Sequence, residues 1–141
     1  MAAVMDLDAL VGFYESLSPQ SLCRLPEFYG EQAFFKDPFN EVRGVAAIER
    51  IFSHMFRQLA EPRFVVVERV VDPQGAVLVW EFHYRTGRGR AEVMRGVSHL
   101  RFDPGGKVVY HRDYWDTAEE LYMKLPVLGA LMRGLRRALA A

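Results

Sequence analysis

The sequence has 141 residues, half of them hydrophobic, and its 18 basic residues balance 18 acidic ones. This length is typical of one domain with its own core, and the neutral balance removes the electrostatic argument for nucleic-acid binding. The sequence opens with no basic stretch followed by an apolar run, and no apolar run approaches the about 20 residues that span a bilayer. We therefore expect a cytoplasmic protein without an integral membrane segment.

Cofactor and metal chemistry leave no signal in the sequence. The single cysteine, Cys23, excludes an intrachain disulfide and a cysteine-based zinc site, and its neighbours predict a buried thiol on a helix. The four histidines lack metal-ligand spacing, and no glycine-rich phosphate loop is present. We expect no metal and no organic cofactor.

Apolar residues at helical spacing predict two helices at the start of the chain. Asp6 can cap a helix that begins at Leu7. Ser18 can cap a second, short segment with Pro19 in its first turn. Pro26 breaks that segment, because proline removes a helical hydrogen bond.

The clearest helix is predicted over Val45–Ala60. Its apolar stripe consists of Ile48, Ile51, Phe52, Met55, Phe56 and Leu59. Near the C-terminus, Thr117 and Glu120 form a capping box for a helix over Ala118–Leu125. A C-terminal helical extension, residues 126–141, follows, and its leucines are expected to close or rim a pocket or to pack on a partner. A basic helix lying on a membrane surface is the alternative.

Between these helices the apolar period changes to two, which is typical of strands. A short strand is predicted over Ala33–Lys36, and a loop follows over residues 39–44. Four closely spaced strands are then predicted to form an antiparallel meander: Phe64–Val71, Ala76–Arg85, Arg90–Phe102 and Gly106–Asp116. This order predicts an α+β fold with helices packed on one face of the sheet.

The bulky apolar side of each strand identifies the covered face, because burying unpaired arginines such as Arg95 and Arg101 would be costly. This assignment places Trp80, Phe82, Tyr84, Met94 and Ser98 inside. In the last strand, alternation adds Val109, His111, Asp113 and Trp115 to the same face. A carboxylate there must be paired, protonated or open to a cavity.

Five short motifs in this order resemble the SnoaL-like group of the nuclear transport factor 2-like superfamily, over the chain to about residue 125. They are Phe13-Tyr14, Phe35-Lys36-Asp37-Pro38, Gly44-Val45-Ala46-Ala47-Ile48, Ser98-His99-Leu100-Arg101-Phe102 and His111-Arg112-Asp113-Tyr114-Trp115-Asp116. Relatives include ketosteroid isomerase, limonene epoxide hydrolase and polyketide cyclases. The resemblance implies a cone-shaped, curved antiparallel sheet wrapped on helices, the cystatin-like α+β barrel, with an internal pocket.

The resemblance also implies site residues. Tyr14 stands where ketosteroid isomerase has its oxyanion-hole tyrosine, and Asp37 where it has its proton-transferring aspartate. Ser98 replaces the second aspartate of that oxyanion hole. Asp113 stands where limonene epoxide hydrolase carries a catalytic aspartate, although that enzyme's accompanying arginine and second aspartate are missing here.

For four candidate residues a structural reading stands beside the catalytic one. Asp113 is either a catalytic carboxylate or a partly buried acid that is paired with His111, Arg112 or His99, or hydrogen-bonded to Tyr14. Tyr14 is either an electrophile or a core tyrosine whose hydroxyl reaches the rim, Asp37 either a base or a turn residue, and His111 either a catalyst or a pocket wall. Substrate-binding walls are expected from Trp80, Phe82, Tyr84, Met94, Trp115 and Phe56.

The resulting hypothesis is a pocket protein that binds a small hydrophobic molecule. If it is an enzyme, it is a cofactor-independent isomerase, cyclase or epoxide-hydrolase-like protein in which Tyr14 and Ser98 polarise a carbonyl or epoxide and Asp113 or Asp37 moves a proton. The alternatives are a non-catalytic carrier and a structural dimer module. Exposed Val93, Val97, Tyr110 and Tyr114 predict a homodimer through the outer sheet face.

Overall fold

A computed structural model describes residues 6–86, 89–116 and 126–140 of the chain. Within these ranges the α-helices are α1 (Leu7–Glu15), α2 (Leu25–Phe28), α3 (Val45–Gln58) and α4 (Pro126–Leu139). A 3₁₀-helix (Ser21–Arg24) precedes α2. The strands are β1 (Tyr29–Lys36), β2 (Glu41–Arg43), β3 (Ala60–Val71), β4 (Gly75–Arg85), β5 (Ala91–Phe102) and β6 (Val108–Tyr114).

The six strands form one curved, unclosed sheet in the order β2-β1-β6-β5-β4-β3. The antiparallel meander from β3 to β6 is confirmed. The sheet is nevertheless mixed, because β1 runs parallel to β6 and pairs Phe35 with His111. The predicted loop over residues 39–44 was wrong, since β2 lies within it and pairs with β1. Asp37 makes this hairpin possible by accepting hydrogen bonds from the backbone of the turn.

One local prediction held and one failed in the segment between α1 and β1. Ser18 acts as a cap, because its Oγ accepts a hydrogen bond from Ser21 N at 3.1 Å, although the helix itself begins only at Ser21. Cys23 is exposed rather than buried. The reason is the three-residue period of a 3₁₀-helix, which turns Leu22 and Leu25 to the core and Cys23 outward.

The covered face of the sheet carries the predicted residues of β4 and β5. Leu78, Trp80, Phe82 and Leu100 are buried there against side chains of α1 and α3. Apolar burial on this scale supplies most of the driving force for folding. The parity assignments for β4 and β5 are therefore confirmed.

In β6 the predicted alternation of inward-facing and outward-facing residues was wrong at Val109. Val108 is fully buried, whereas Val109 is 37% exposed. The register shifts here, because Arg101 pairs with Tyr110 but Phe102 pairs with Val108. This bulge inserts one extra residue and reverses the alternation before His111.

Helix α4 follows the sheet along the chain, and its described leucines are exposed. Leu131, Leu135 and Leu139 are 67%, 51% and 77% exposed. These three leucines therefore do not cover the pocket within the described part of the chain, contrary to the prediction. The predicted capping box and the helix over Ala118–Leu125 lie outside the described residues. Among the described helices, none is long and apolar enough to cross a membrane.

Candidate functional site

An open cleft of about 820 Å³ lies between α3 and the covered face of the sheet. Five of the six predicted wall residues line it: Trp80, Phe82, Tyr84, Met94 and Trp115. Phe56 does not line the cleft but packs against the core. Successive helix residues point about 100° apart, so Met55 faces the cleft and Phe56 turns away from it.

A second, much smaller chamber of about 20 Å³ adjoins the floor of the cleft. Its volume is close to that of one water molecule. Tyr14, Ser98 and His111 line this chamber but not the cleft. Asp113 and Trp80 line both spaces, so the Asp113 carboxyl stands where the chamber meets the cleft.

A continuous chain of hydrogen bonds leads from the core to this carboxyl. The Tyr14 and Tyr29 hydroxyls are 2.6 Å apart, and the Tyr29 hydroxyl is 2.7 Å from His111 Nδ1. His111 Nε2 then lies 2.7 Å from Asp113 Oδ1. Tyr14, Tyr29 and His111 are buried, so the polar groups of these three side chains are shielded from water.

A second branch reaches the same carboxyl oxygen from β4 and β5. Trp80 Nε1 donates to Ser98 Oγ at 2.9 Å, and Ser98 Oγ donates to Asp113 Oδ1 at 2.5 Å. The strand register creates this branch, because Ser98 pairs directly with Asp113. Trp80 lies over Gly96, where a Cβ atom would come within 2.3 Å of the indole. Glycine at this position therefore lets the indole reach Ser98.

The two branches are consistent with one assignment of the protons. The indole nitrogen of Trp80 can only donate a hydrogen bond, so the Ser98 hydroxyl accepts that bond and donates its own hydrogen bond to Asp113. An ionised Asp113 accepts from His111 Nε2–H as well, which leaves Nδ1 of a neutral imidazole to accept from Tyr29. Tyr29 in turn accepts from Tyr14. The hydroxyl protons of Tyr14 and Ser98 are thus both engaged in hydrogen bonds within the network, to Tyr29 and Asp113 respectively.

Burial fixes the protonation of the two phenols. It raises the pKa of Tyr14 above its ordinary value; the hydrogen bond with Tyr29 opposes the shift, and the Asp113 charge adds to it. Burial likewise raises the pKa of Tyr29 well above its ordinary value, and Tyr14 and Asp113 add to that shift. Both phenols therefore remain protonated donors at neutral pH.

The second carboxyl oxygen of Asp113 is the chemically available atom of the site. No hydrogen bond from any residue in the described ranges reaches Asp113 Oδ2, whereas Oδ1 accepts two. The Asp113 side chain is 17% exposed, and it borders the apolar cleft. A carboxylate held at one oxygen and open at the other is suited to take a proton from a bound molecule.

Asp37 lines the cleft, but its carboxyl is occupied by the β1–β2 turn. Oδ1 accepts from Phe39 N at 2.8 Å and Asn40 N at 2.6 Å. Asn40 Nδ2 contacts both carboxyl oxygens at 3.1 Å. Of the two readings of Asp37, this geometry favours the turn residue over the base.

Tyr29, the link between Tyr14 and His111, is not among the residues predicted for the site. It begins β1, beside β6. Within the described part of the chain, no group of three or more His, Cys, Asp or Glu side chains is placed to hold a metal ion.

The pattern of the SnoaL-like domain family matches residues 10–111, and the chain therefore belongs to this family. No match was found among curated protein sequences. The superfamily resemblance inferred from the motifs is confirmed.

Solved structures share the fold at low sequence identity. An NTF2-like protein of unknown function from Burkholderia pseudomallei K96243 is 19% identical, with a TM-score of 0.71 over 80% of this chain and 92% of its own. TerC, co-crystallised with polyporic acid, is 16% identical, with a TM-score of 0.71 over 80% and 92%. A provisionally assigned SnoaL-like polyketide cyclase from Shewanella denitrificans OS-217 is 18% identical, with a TM-score of 0.67 over 82% and 95%. At these identities the likeness establishes the cone-shaped fold.

Proposed function

We propose that this protein binds a small hydrophobic molecule in the cleft and that Asp113 moves a proton on it. The observation that carries the proposal is the Asp113 carboxyl, which borders the largely apolar cleft of about 820 Å³ and whose Oδ1 accepts two hydrogen bonds, while Oδ2 accepts none from the described residues. A base in an apolar cleft works without competing water. The chemistry would be cofactor-independent.

In this proposal the other network residues act through Asp113. His111 and Ser98 fix the orientation of the carboxyl by donating to Oδ1. Tyr29, supported by Tyr14, donates to His111 Nδ1 and so holds the tautomer whose proton points at Asp113. These residues are positioning residues rather than groups that touch the reacting atoms.

Removal of a proton from a carbon next to a carbonyl is the reaction class that this arrangement favours, as in an isomerase or a cyclase. The provisional polyketide cyclase assignment of one structural neighbour is in keeping with this class. Epoxide hydrolysis has less support, because a second acid would have to protonate the opening epoxide. The hydroxyl protons of Tyr14 and Ser98 are already used.

A non-catalytic carrier is the second candidate, and the same observation favours it. With the Tyr14 and Ser98 protons used internally, neither residue can donate to an enolate oxygen as the sequence analysis expected. A structural dimer module has the least support, because the side chains within the described ranges leave the cleft open.

Binding to the cleft can be tested with the neutral fluorescent probe phenylnaphthylamine. The wild-type protein should bind it and enhance its emission, because aromatic side chains line the cleft. Met94→Trp places an indole in the cleft and should weaken binding about fivefold. Val71→Trp, at an exposed position on β3, is the matched control and should bind like wild type. Absence of binding by the wild-type protein would refute the proposal.

We also propose that the chain forms a homodimer through the outer face of the sheet. Tyr114 is exposed on this face, and the Arg112 guanidinium lies 4.7 Å from its ring centroid. Such an aromatic and arginine pair is typical of interface centres. Light scattering at tens of micromolar should give twice the 16.2 kDa chain mass, and a monomer mass would contradict the proposal.

A further inference from the structure

The side of the cleft formed by α3 is cationic. Arg50, His54 and Arg57 line the cleft and are all exposed. Their spacing of four and three residues places them on one face of α3, about two helical turns from first to last. They therefore form a ridge along the edge of an otherwise largely apolar cleft.

The two arginines of this ridge have no acidic partner among the described residues. Neither Arg50 nor Arg57 forms an ion pair or a side-chain hydrogen bond within the described ranges. Two carboxylates line the cleft, but Asp37 is held by its turn and Asp113 accepts from Ser98 and His111 on the floor. Opposite charges are thus separated, with the free cations at the edge and the base at the bottom.

We propose that the molecule bound in the cleft is an amphipathic organic acid. Its anionic group binds Arg50 and Arg57 at the edge, and its apolar body contacts the aromatic walls of the cleft. Guanidinium groups bind carboxylates and sulfonates through paired hydrogen bonds. This inference rests on the proposed function, and it adds the chemical class of the ligand.

The charge separation also sets the orientation of such a molecule. An anion beside Asp113 would be repelled, whereas the same group at Arg50 and Arg57 is attracted. The uncharged end therefore lies next to Asp113 Oδ2, where proton transfer is proposed. The ridge thus decides which end of the ligand meets the base.

Two probes that differ in one charge test the inference. Anilinonaphthalenesulfonate has the phenylnaphthylamine skeleton with one added sulfonate. The wild-type protein should bind the anionic probe about tenfold tighter, and the anionic probe should displace the neutral one. Added sodium chloride should weaken binding of the anionic probe alone, because exposed charges are screened.

Removal of the cationic ridge provides the decisive variant. The double variant Arg50→Gln/Arg57→Gln should lose about tenfold in affinity for the sulfonate probe and less than about twofold for phenylnaphthylamine. Arg24→Gln/Arg63→Gln removes the same charge from exposed positions outside the cleft and should leave both affinities unchanged. Equal wild-type affinity for the two probes, or an equal loss in both double variants, would overturn this inference alone. Failure of the sulfonate probe alone to bind wild type would likewise overturn only this inference, whereas failure of both probes would overturn the proposed function with it.

Discussion

Between about pH 9 and pH 11.5, the protein should lose about 2 kcal/mol of unfolding free energy through Tyr14, and a further amount through Tyr29. Burial raises the pKa of both phenols above the ordinary value of 10.0, so the folded state holds protons that the unfolded state releases. The stabilisation is complete below the unfolded pKa and is lost as pH rises toward the folded one.

The variant Tyr14→Phe separates this effect from general alkaline unfolding. It removes one buried phenol at the end of the network, while Tyr29 still donates to His111. Urea titrations at both pH values should show a decline about 2 kcal/mol smaller than that of wild type. Val71→Ala, at an exposed position that leaves both phenols in place, is the control and should decline as wild type does. An unchanged decline in Tyr14→Phe would show that Tyr14 is not a buried donor.

Strand alternation located most of the candidate site from the sequence. β4 and β5 pair without a register shift, so the period of two holds from Trp80 through Ser98. The same rule placed His111 and Asp113 correctly but failed at Val109, where a bulge adds one residue. A bulge depends on how two strands pair, and a single strand's pattern does not contain that information.

Local sequence patterns could not predict contacts between segments that are distant in the sequence. Tyr29 and His111 are 82 residues apart, and they meet because β1 runs parallel to β6. Each residue is ordinary in its own segment, so only the pairing gives it a role. The cationic ridge is a similar case, because Arg50 and Arg57 resemble solvent-exposed helix residues until the cleft is seen beside them.

Replacing Asp113 with Asn should reduce proton transfer in the cleft about a hundredfold. The side-chain carbonyl of Asn can still accept from Ser98 and His111, so the network keeps its shape while the basic oxygen is lost. We expect the free energy of unfolding to change by less than about 2 kcal/mol. Asp37→Asn tests the alternative base and should reduce the rate less than about threefold, because the Asp37 carboxyl is occupied by its turn.

Base-promoted ring opening of nitrobenzisoxazole measures this proton transfer without knowledge of the natural substrate. The base takes the carbon-bound proton, the C–H electrons form a nitrile, and the N–O bond breaks to release a coloured phenolate. The wild-type protein should accelerate the reaction above an equal concentration of acetate, and Asp113→Asn should abolish that acceleration while still binding phenylnaphthylamine. A wild-type rate equal to that of acetate, or full activity in Asp113→Asn, would contradict the assignment of Asp113 as the base.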